Sequence, residues 1–300
     1  MSVSNAGAPS ETLPSSVVPA GSENVIRWQR PRFGLTFWLC VVWLVVLATT
    51  AIGARWLPLA DPLETDFLHR RVAPNGDFWL GTDQLGRDTL SRIIFGARVS
   101  LSIALAASLL SAFFGVFFGL PAGYFRGRLE AGVVGATDIV LAFPPIILLL
   151  LVAAYGGASL TNLVLVLGFL GIPGYTRIAR ATTLNFAQRD FVTAARAIGA
   201  SHFRIMVREL LPNLVAPIFA IVVLSMSRII VIEGTLSFLG LSLPPPAPTW
   251  GNMIAAGVSE LAFHPAISFV PAGVMFTTIL ALNVIGDALR RASDLRDTAL

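Results

Sequence analysis

The chain has 300 residues, of which 55% are hydrophobic and only 13% charged, so it is too apolar for an ordinary soluble domain. Its formal charge is +4, and all 21 basic residues are arginines. A Walker-type phosphate loop requires a lysine, so the chain cannot supply that kind of ATP site. One cysteine and three scattered histidines give no disulfide framework and no metal-ligand pair. No catalytic residue and no metal site are therefore predicted.

The N-terminal part of the sequence predicts a disordered segment followed by a membrane anchor. Residues 1–25 are rich in Ser, Pro, Ala and Gly, and we expect them to be disordered on the cytoplasmic side. Arg27, Arg30 and Arg32 then precede an apolar run at residues 35–54. This run is longer than the roughly 7–15 residues of a signal-peptide core, so it is interpreted as an uncleaved first span. With the loop that follows, it forms a predicted N-terminal region at residues 26–98.

The first loop contains two glycines, Gly81 and Gly86, with the spacing of a phosphate loop. Arg87 and Asp88 stand where that motif needs Lys and Ser or Thr, and an acid there would repel phosphate, so a nucleotide site is excluded. Asp88 is instead a suitable helix N-cap. Four apolar residues after it share one helical face: Leu90, Ile94, Ala97 and Leu101. The loop is therefore expected to end in a helix that leads into the second span.

Five further apolar stretches make the chain an all-α integral membrane protein with six predicted transmembrane helices. They lie at residues 101–122, 134–155, 160–172, 214–239 and 265–286. The stretch at 160–172 is short, and its helix is expected to continue past Gly174 towards Arg177. Residues 99–290 are thus the predicted transmembrane domain, and residues 291–300 a cytoplasmic tail.

Arginine placement sets the expected orientation, because cytoplasmic loops carry an excess of positive residues. With the N-terminus inside, the inner segments hold 14 arginines and the first loop holds six. An even number of spans places both termini on the same side. We therefore expect both termini in the cytoplasm.

Three charged residues lie in or near segments at lipid depth: Asp138, Arg228 and Glu233. A charge at the bilayer centre costs at least about 2.5–3.5 kcal/mol, so such groups usually face a bundle interior or a water-filled route. They are candidates for lining a translocation path, and the alternative is a structural role. Arg228 and Glu233 are five residues apart and do not stack ideally on one helix face. Asp138 is close enough to the predicted cytoplasmic end to meet Arg126 or Arg128.

A polar island at residues 190–213, here called the elbow segment, interrupts the apolar second half of the chain. Four residues recur at helical spacing and predict one small apolar face: Phe191, Ala194, Ala195 and Ile198. Asp190 is a plausible N-cap, Gly199 a left-handed residue after the helix, and Ser201 the cap of a second helix. The elbow is predicted to be a helix, a tight turn, a helix and a return into the membrane. Its small side chains would let another protein's backbone approach closely.

The elbow sequence A-A-R-A-I-G-A-S, followed by Ile205 and L-L-P-N, resembles the cytoplasmic coupling motif of ABC importer permeases. Thr193 stands at the position where that motif usually has Glu. In that family the segment docks onto the ATP-hydrolysing subunit. The resemblance implies nine coupling residues here: Phe191, Ala194, Ala195, Arg196, Ile198, Gly199, Ala200, Ser201 and Ile205.

Four other strings resemble the dipeptide, oligopeptide and nickel branch of that family, and with the elbow they cover the chain from about residue 30 to its end. The first-loop string is G-T-D, two residues and G-R-D, a structural motif formed by Gly81, Asp83, Gly86, Arg87 and Asp88. The next is D-I-V-L-A-F-P-P from Asp138. The third is E-G-T-L-S-F-L-G-L-S-L-P-P-P-A-P-T-W-G from Glu233, and the last is N-V-I-G-D-A-L-R-R-A-S-D-L-R from Asn283.

The resemblance implies a type I ABC importer permease fold in the bacterial inner membrane, forming half of the path for peptides or related small solutes. It implies four kinds of partner: a sister permease, two ABC ATPase subunits, an extracytoplasmic solute-binding protein and membrane lipid, with no nucleic acid. ATP and Mg would be bound by the ATPases, and this subunit would need no cofactor of its own. Nickel chelates, glutathione, opines and sugars are the alternative substrates within the branch.

Two alternatives belong to other functional classes. A self-sufficient channel or proton-coupled transporter would need an intramembrane relay of ionisable residues, for which only Asp138, Arg228 and Glu233 are available. A membrane scaffold that transports nothing is the other. Genes for an ATPase, a second permease and a binding protein beside this one would separate the three.

Overall fold

The computed structural model describes residues 34–157 and 159–297, and the regular elements in these ranges are all helices. The α-helices are α1 Leu35–Gly53, α2 Thr89–Phe125, α3 Gly127–Ala142, α4 Pro145–Gly156, α5 Leu160–Phe186, α6 Asp190–Ala197, α7 His202–Arg204, α8 Leu211–Phe238, α9 Trp250–Gly257 and α10 Ala266–Asp297. A π-helical turn, Ile205–Leu210, joins α7 to α8, and two 3₁₀ turns lie at Phe67–His69 and Val258–Glu260. Within these ranges, five helices are long and apolar enough to cross a membrane, or six if one bent pair counts as a span.

Three predictions concern residues outside the described ranges. They are the disordered segment 1–25, the basic flank formed by Arg27, Arg30 and Arg32, and the last part of the tail, residues 298–300. They stay predictions.

The first two spans follow the sequence prediction, but the second is longer. Helix α1 covers residues 35–53, and α2 starts at Thr89, so the helix predicted after Asp88 and the span predicted from residue 101 are one continuous helix. At 37 residues, α2 is about 55 Å long, well beyond the roughly 30 Å of a hydrocarbon core. The expected boundary between residues 98 and 99 therefore falls inside one continuous helix.

The third predicted span, residues 134–155, is bent. It consists of α3 and α4, which meet at an angle of 74°. Phe143 has extended backbone angles, φ −80° and ψ 129°, because a residue that precedes proline avoids the α conformation. The prediction for the next span is confirmed, since α5 continues past Gly174 as far as Phe186.

Helices α2 and α5 pack closely because α2 presents a stripe of glycines, Gly115, Gly119 and Gly123. A Cβ atom on Gly119 would lie 2.6 Å from the Thr176 carbonyl oxygen, and one on Gly123 would lie 2.7 Å from that of Arg180. Small residues at such spacing let two helix backbones approach closely in a membrane. This contact makes α2 and α5 the central pair of the bundle.

Two apolar clusters divide the bundle along α2. Near the first loop, Ala97, Ile103 and Ala107 pack in a cluster with Trp250 of α9. Towards the other end, a second cluster contains Ala112, Leu120 and Tyr124 of α2, Tyr175 and Ala179 of α5, and residues of the elbow segment. The elbow and the first loop therefore lie at opposite ends of the same central helix.

Buried hydroxyl groups link three helices where the two clusters meet on α2. The Tyr175 hydroxyl lies 2.5 Å from Ser225 Oγ, and Ser225 Oγ donates to Ser108 Oγ over 2.9 Å. A satisfied polar network in a low-dielectric interior fixes the relative positions of its members. Here it holds α2, α5 and α8 together.

Candidate functional site

The elbow segment forms the predicted helix, turn and helix, with one difference at its start. The N-cap of α6 is Arg189, and Asp190 is the first helical residue, so the expectation that Asp190 caps the helix is wrong. Its carboxylate in the first turn still interacts favourably with the positive end of the helix dipole.

The turn after α6 confirms the role expected of Gly199. Its φ of +81° lies in the left-handed region. The Gly199 N–H donates to the Arg196 carbonyl, and the Ala200 N–H donates to the Ala195 carbonyl, each over 3.0 Å. This pair of bonds is a Schellman motif. Ser201 then caps α7, as predicted, by accepting a bond from the Arg204 N–H at 3.4 Å.

One side of the elbow anchors it to the bundle. Val192, Ala195, Ile205 and Leu210 are buried in the same cluster as Tyr124, at the end of α2. The π-helical turn then carries the chain directly into α8. A force applied to the elbow would therefore reach α2, α5 and α8 through packed side chains.

Polar contacts at the end of α2 reinforce this anchor. His202 Nδ1 lies 2.9 Å from the Tyr124 hydroxyl, and the Arg196 guanidinium lies over the Tyr124 ring, 5.3 Å from its centroid. Tyr124 thus contacts both helices of the elbow and fixes the angle between them.

The opposite side of the elbow is exposed. Ile198 is 86% exposed, Ala194 and Gly199 are exposed, and a Cβ atom on Gly199 would meet nothing within 4 Å. Arg196 and Ser201 are also exposed, whereas Phe191 and Ala200 are half-buried. The single apolar face expected from the sequence is therefore divided. Ala195 and Ile205 hold the segment in place, and Ala194, Ile198 and Gly199 remain open to a partner.

An apolar groove of about 700 Å³ runs beside the elbow. Phe113 and Phe117 of α2, Leu129 of α3, and Phe203 and Val207 from the elbow contribute to its lining. The exposed ring of Phe203 therefore belongs to this apolar groove and not to the surface around Ile198.

The first-loop motif is a buried structural unit. Gly81 and Gly86 have φ of +73° and +81°, and a Cβ atom on Gly86 would collide with the Asp66 carbonyl. Asp83 Oδ2 lies 2.7 Å from Arg87 Nε and 3.5 Å from Arg92 Nε. Asp88 is the predicted N-cap, since its carboxylate accepts from the Ser91 N–H at 2.8 Å.

Asp138 does not meet Arg126 or Arg128, so that expectation is wrong. Its carboxylate lies 2.6 Å from Arg177 Nη2 of α5, and both side chains are about half exposed. Glu130 forms a second ion pair between α3 and α5, with Arg180. The two pairs tie α3 to α5 on the elbow side of the proline bend.

Glu233 is 1% exposed and is surrounded by hydroxyl groups. Its carboxylate oxygens accept from Ser242 at 2.7 Å, from Ser237 at 3.1 Å and from Ser100 at 3.5 Å. Arg228 is exposed on the same helix and forms no ion pair with any acidic side chain in the described part of the chain. The two residues are therefore separate features and not a pair.

Sequence reasoning missed Val192, which is fully buried at the centre of the anchor, and the contact of Tyr124 with His202. Val192 could have been found from its spacing, because it lies three residues before Ala195 on α6. The Tyr124 contact joins residues 78 positions apart and leaves no local signal.

Comparison with known proteins identifies the family of this chain. The model of the family described as binding-protein-dependent transport system inner membrane component matches residues 115–296. The glutathione transport system permease protein GsiD of Escherichia coli O6:K15:H31 is 35% identical over 269 residues, covering 89% of this chain and 88% of that protein. GsiD of Shigella boydii serotype 4 matches with the same identity and coverage.

Solved structures to which this chain is similar include two crystal forms of the inward-facing MetNI methionine ABC transporter. They match with TM-scores of 0.49 and 0.48 at 19% identity. The matches cover 64% and 65% of this chain and 94% of theirs.

The fold and the anchored elbow define a multi-span, all-helical membrane protein with an exposed surface at one end of its central helix. The chain belongs to the family of binding-protein-dependent transport system inner membrane components. It is a permease subunit of an ABC importer of the peptide and nickel branch, located in the bacterial inner membrane.

Proposed function

We propose that this permease forms half of the translocation path for dipeptides and oligopeptides, and that its elbow segment docks onto an ABC ATPase in the cytoplasm. The observation that supports the docking most directly is the division of the elbow into an anchored side and an exposed side. Val192 and Ala195 are buried, while Ala194 and Ile198 are exposed on the same short helix. A segment that transfers force needs a buried side that holds it to the bundle and an exposed side that binds the partner.

The proposed mechanism is alternating access driven by ATP that is bound elsewhere. Closure of two ATPase subunits moves the elbow, and the anchor passes this movement to α2, α5 and α8. The subunit itself is non-catalytic and holds no cofactor, since ATP and Mg belong to the ATPases. A sister permease supplies the other half of the path, and a solute-binding protein delivers substrate from outside. Both termini lie in the cytoplasm in this arrangement, as the arginine distribution favours.

The branch and the named relatives support the proposed substrate class. The GsiD proteins are described as glutathione permeases, and glutathione is a tripeptide. We therefore place peptides first and glutathione among them, ahead of nickel chelates, opines and sugars. The solute-binding protein sets most of the choice within that class.

Uptake by the reconstituted complex tests this proposal. The permease is assembled in liposomes with its sister subunit, both ATPases and the binding protein, and uptake of a labelled dipeptide, glutathione and a nickel chelate is compared. We expect uptake of a peptide that requires ATP inside the liposome and all the partners. Uptake by this chain without the ATPases would show a self-sufficient channel or transporter, and absence of any peptide uptake would contradict the proposed substrate class.

A further inference from the structure

Arg228 is an exposed cation near the middle of a membrane-spanning helix. Helix α8 ends at Phe238, ten residues after Arg228, which corresponds to about 15 Å along the helix axis. That distance is about half of a hydrocarbon core. The guanidinium is therefore at a depth where a charge must face an aqueous route or an opposite charge.

The acidic groups of α8 and α3 are already engaged. Glu233 lies in its cage of serine hydroxyls, Asp138 is paired with Arg177, and Glu130 is paired with Arg180. Asp287 of α10 is exposed and forms no ion pair with Arg228. Within the described part of the chain, the positive charge of Arg228 is left uncompensated.

The surroundings of Arg228 are polar on one side. Ser225, one turn earlier on α8, belongs to the buried hydroxyl cluster with Tyr175 and Ser108. The guanidinium thus lies beside the junction of α5 and α8, on the α8 face that also exposes Val231 and Thr235.

We propose that Arg228 is an anion-binding residue on the translocation path, and that it takes the free carboxylate of a peptide substrate as the peptide passes mid-membrane. This deepens the proposed function and rests on it. A guanidinium binds a carboxylate through two parallel N–H donors, which gives both attraction and orientation. It makes this half of the path selective for substrates that carry a free carboxylate.

The test uses the complete transporter in liposomes with a dipeptide and the same dipeptide amidated at its C-terminus. Arg228→Gln is compared with the wild type and with the control Val231→Gln, which introduces the same amide on the same exposed face. We expect Arg228→Gln to lower uptake of the free acid about tenfold, as for loss of one charged hydrogen bond. Uptake of the amide should change less than twofold, and the control should behave as wild type.

Two further variants keep the proposal testable if the binding protein rejects the amide. Arg228→Lys keeps the positive charge but loses the two parallel donors, so its free-acid uptake should lie between that of the wild type and that of Arg228→Gln. Arg228→Glu should fall below Arg228→Gln because a carboxylate repels the substrate. Equal uptake by the Gln and Glu variants, with normal yields of complex, would overturn the proposal.

Other outcomes separate this proposal from its alternatives. Equal losses of acid and amide uptake in Arg228→Gln would contradict it while leaving the proposed function intact. Loss of assembled complex in Arg228→Gln, restored by Arg228→Lys, would show that Arg228 pairs with an acid of the sister permease, which also overturns it. Absence of uptake of both peptides by the wild-type complex contradicts the proposed function and this proposal with it.

Discussion

The elbow segment and the first loop are both polar stretches that contain glycine in the left-handed region. They differ in which of their motif side chains are buried and which are exposed. In the first loop, Asp83 and Arg87 are buried and form an ion pair, and the buried Arg92 at the start of α2 also pairs with Asp83. In the elbow, Ala194 and Ile198 are exposed while their neighbours Val192 and Ala195 are buried. Both resemble family motifs, yet the first stabilises the chain itself and the second offers a surface.

This difference shows that a recurring motif alone does not distinguish a structural unit from a binding surface. The glycines of the first loop are required by close contacts, since a Cβ atom on Gly81 would lie 2.5 Å from the Val72 carbonyl oxygen. Gly199 of the elbow has open space around its missing side chain. Burial around the motif, which the sequence does not record, separates the two cases.

Removal of Asp83 should have the largest effect, because this residue holds the buried ion pairs that stabilise the first loop. Asp83→Ala leaves the buried guanidiniums of Arg87 and Arg92 without their carboxylate, at a cost of about 3–5 kcal/mol. We expect little folded subunit in the membrane and a strongly lowered Tm in detergent. The control is Asp77→Ala, which removes an exposed carboxylate from the same loop. Equal levels of the two variants would show that the first loop does not depend on this ion pair.

Adjacent alanines in α6 provide the next test, since the same substitution probes the two sides of the elbow. Ala195→Asp places an uncompensated charge in the anchor, so we expect reduced folded protein. Ala194→Asp leaves the anchor intact, so we expect a normal Tm with binding-protein-stimulated ATP hydrolysis lowered at least about tenfold, because a desolvated charge in a docking surface is unfavourable.

The two alanine variants are scored by Tm in detergent and by ATP hydrolysis of the assembled complex. The opposite pattern, with Ala195→Asp stable and Ala194→Asp unfolded, would contradict the assignment of the two sides. Full ATP hydrolysis in the Ala194→Asp complex would show that Ala194 is not part of the docking surface.

The smallest effect is expected at the turn between the two elbow helices. Gly199→Ala forces an alanine into a left-handed conformation, which costs roughly 1 kcal/mol. The new methyl group meets nothing, so strain is the only penalty. Gly199→Asn should lose less because Asn tolerates this conformation better. Denaturant unfolding of both variants measures the difference, and a more stable Gly199→Ala variant would show that the turn is not held at positive φ.

Most of the fold could be predicted from apolar runs and turn residues, because these signals are local. Neighbouring residues were enough to predict the first span, the continuation of α5 past Gly174, the Asp88 and Ser201 caps and the left-handed Gly199. The bend between α3 and α4 was missed although Pro144 and Pro145 signal it, because the apolar run continues through them.

The contacts of the candidate site were predicted less well, because they join residues far apart in the sequence. The partner of Asp138 is Arg177, 39 positions away, and not the nearer Arg126. The serine cage of Glu233 includes Ser100 of another helix, 133 positions away. Periodicity placed Ala195 on the same face as Ala194, but packing against α2 and α5 turned Ala195 inwards.

Site-specific crosslinking from the elbow is the most direct test of the central proposal, that an anchored elbow is held by a separate ATPase. Ile198 is replaced by Cys in a Cys40→Ser background, and the assembled complex is treated with a short crosslinker that has one thiol-reactive and one photoactivatable end, with Phe203→Cys in the groove as the matched control. We predict a strong crosslink between position 198 and the ATPase subunit, and a weaker crosslink between position 203 and that subunit. A crosslink from position 198 only to lipid or to its own chain, or labelling of position 198 from outside the cell, would contradict the account.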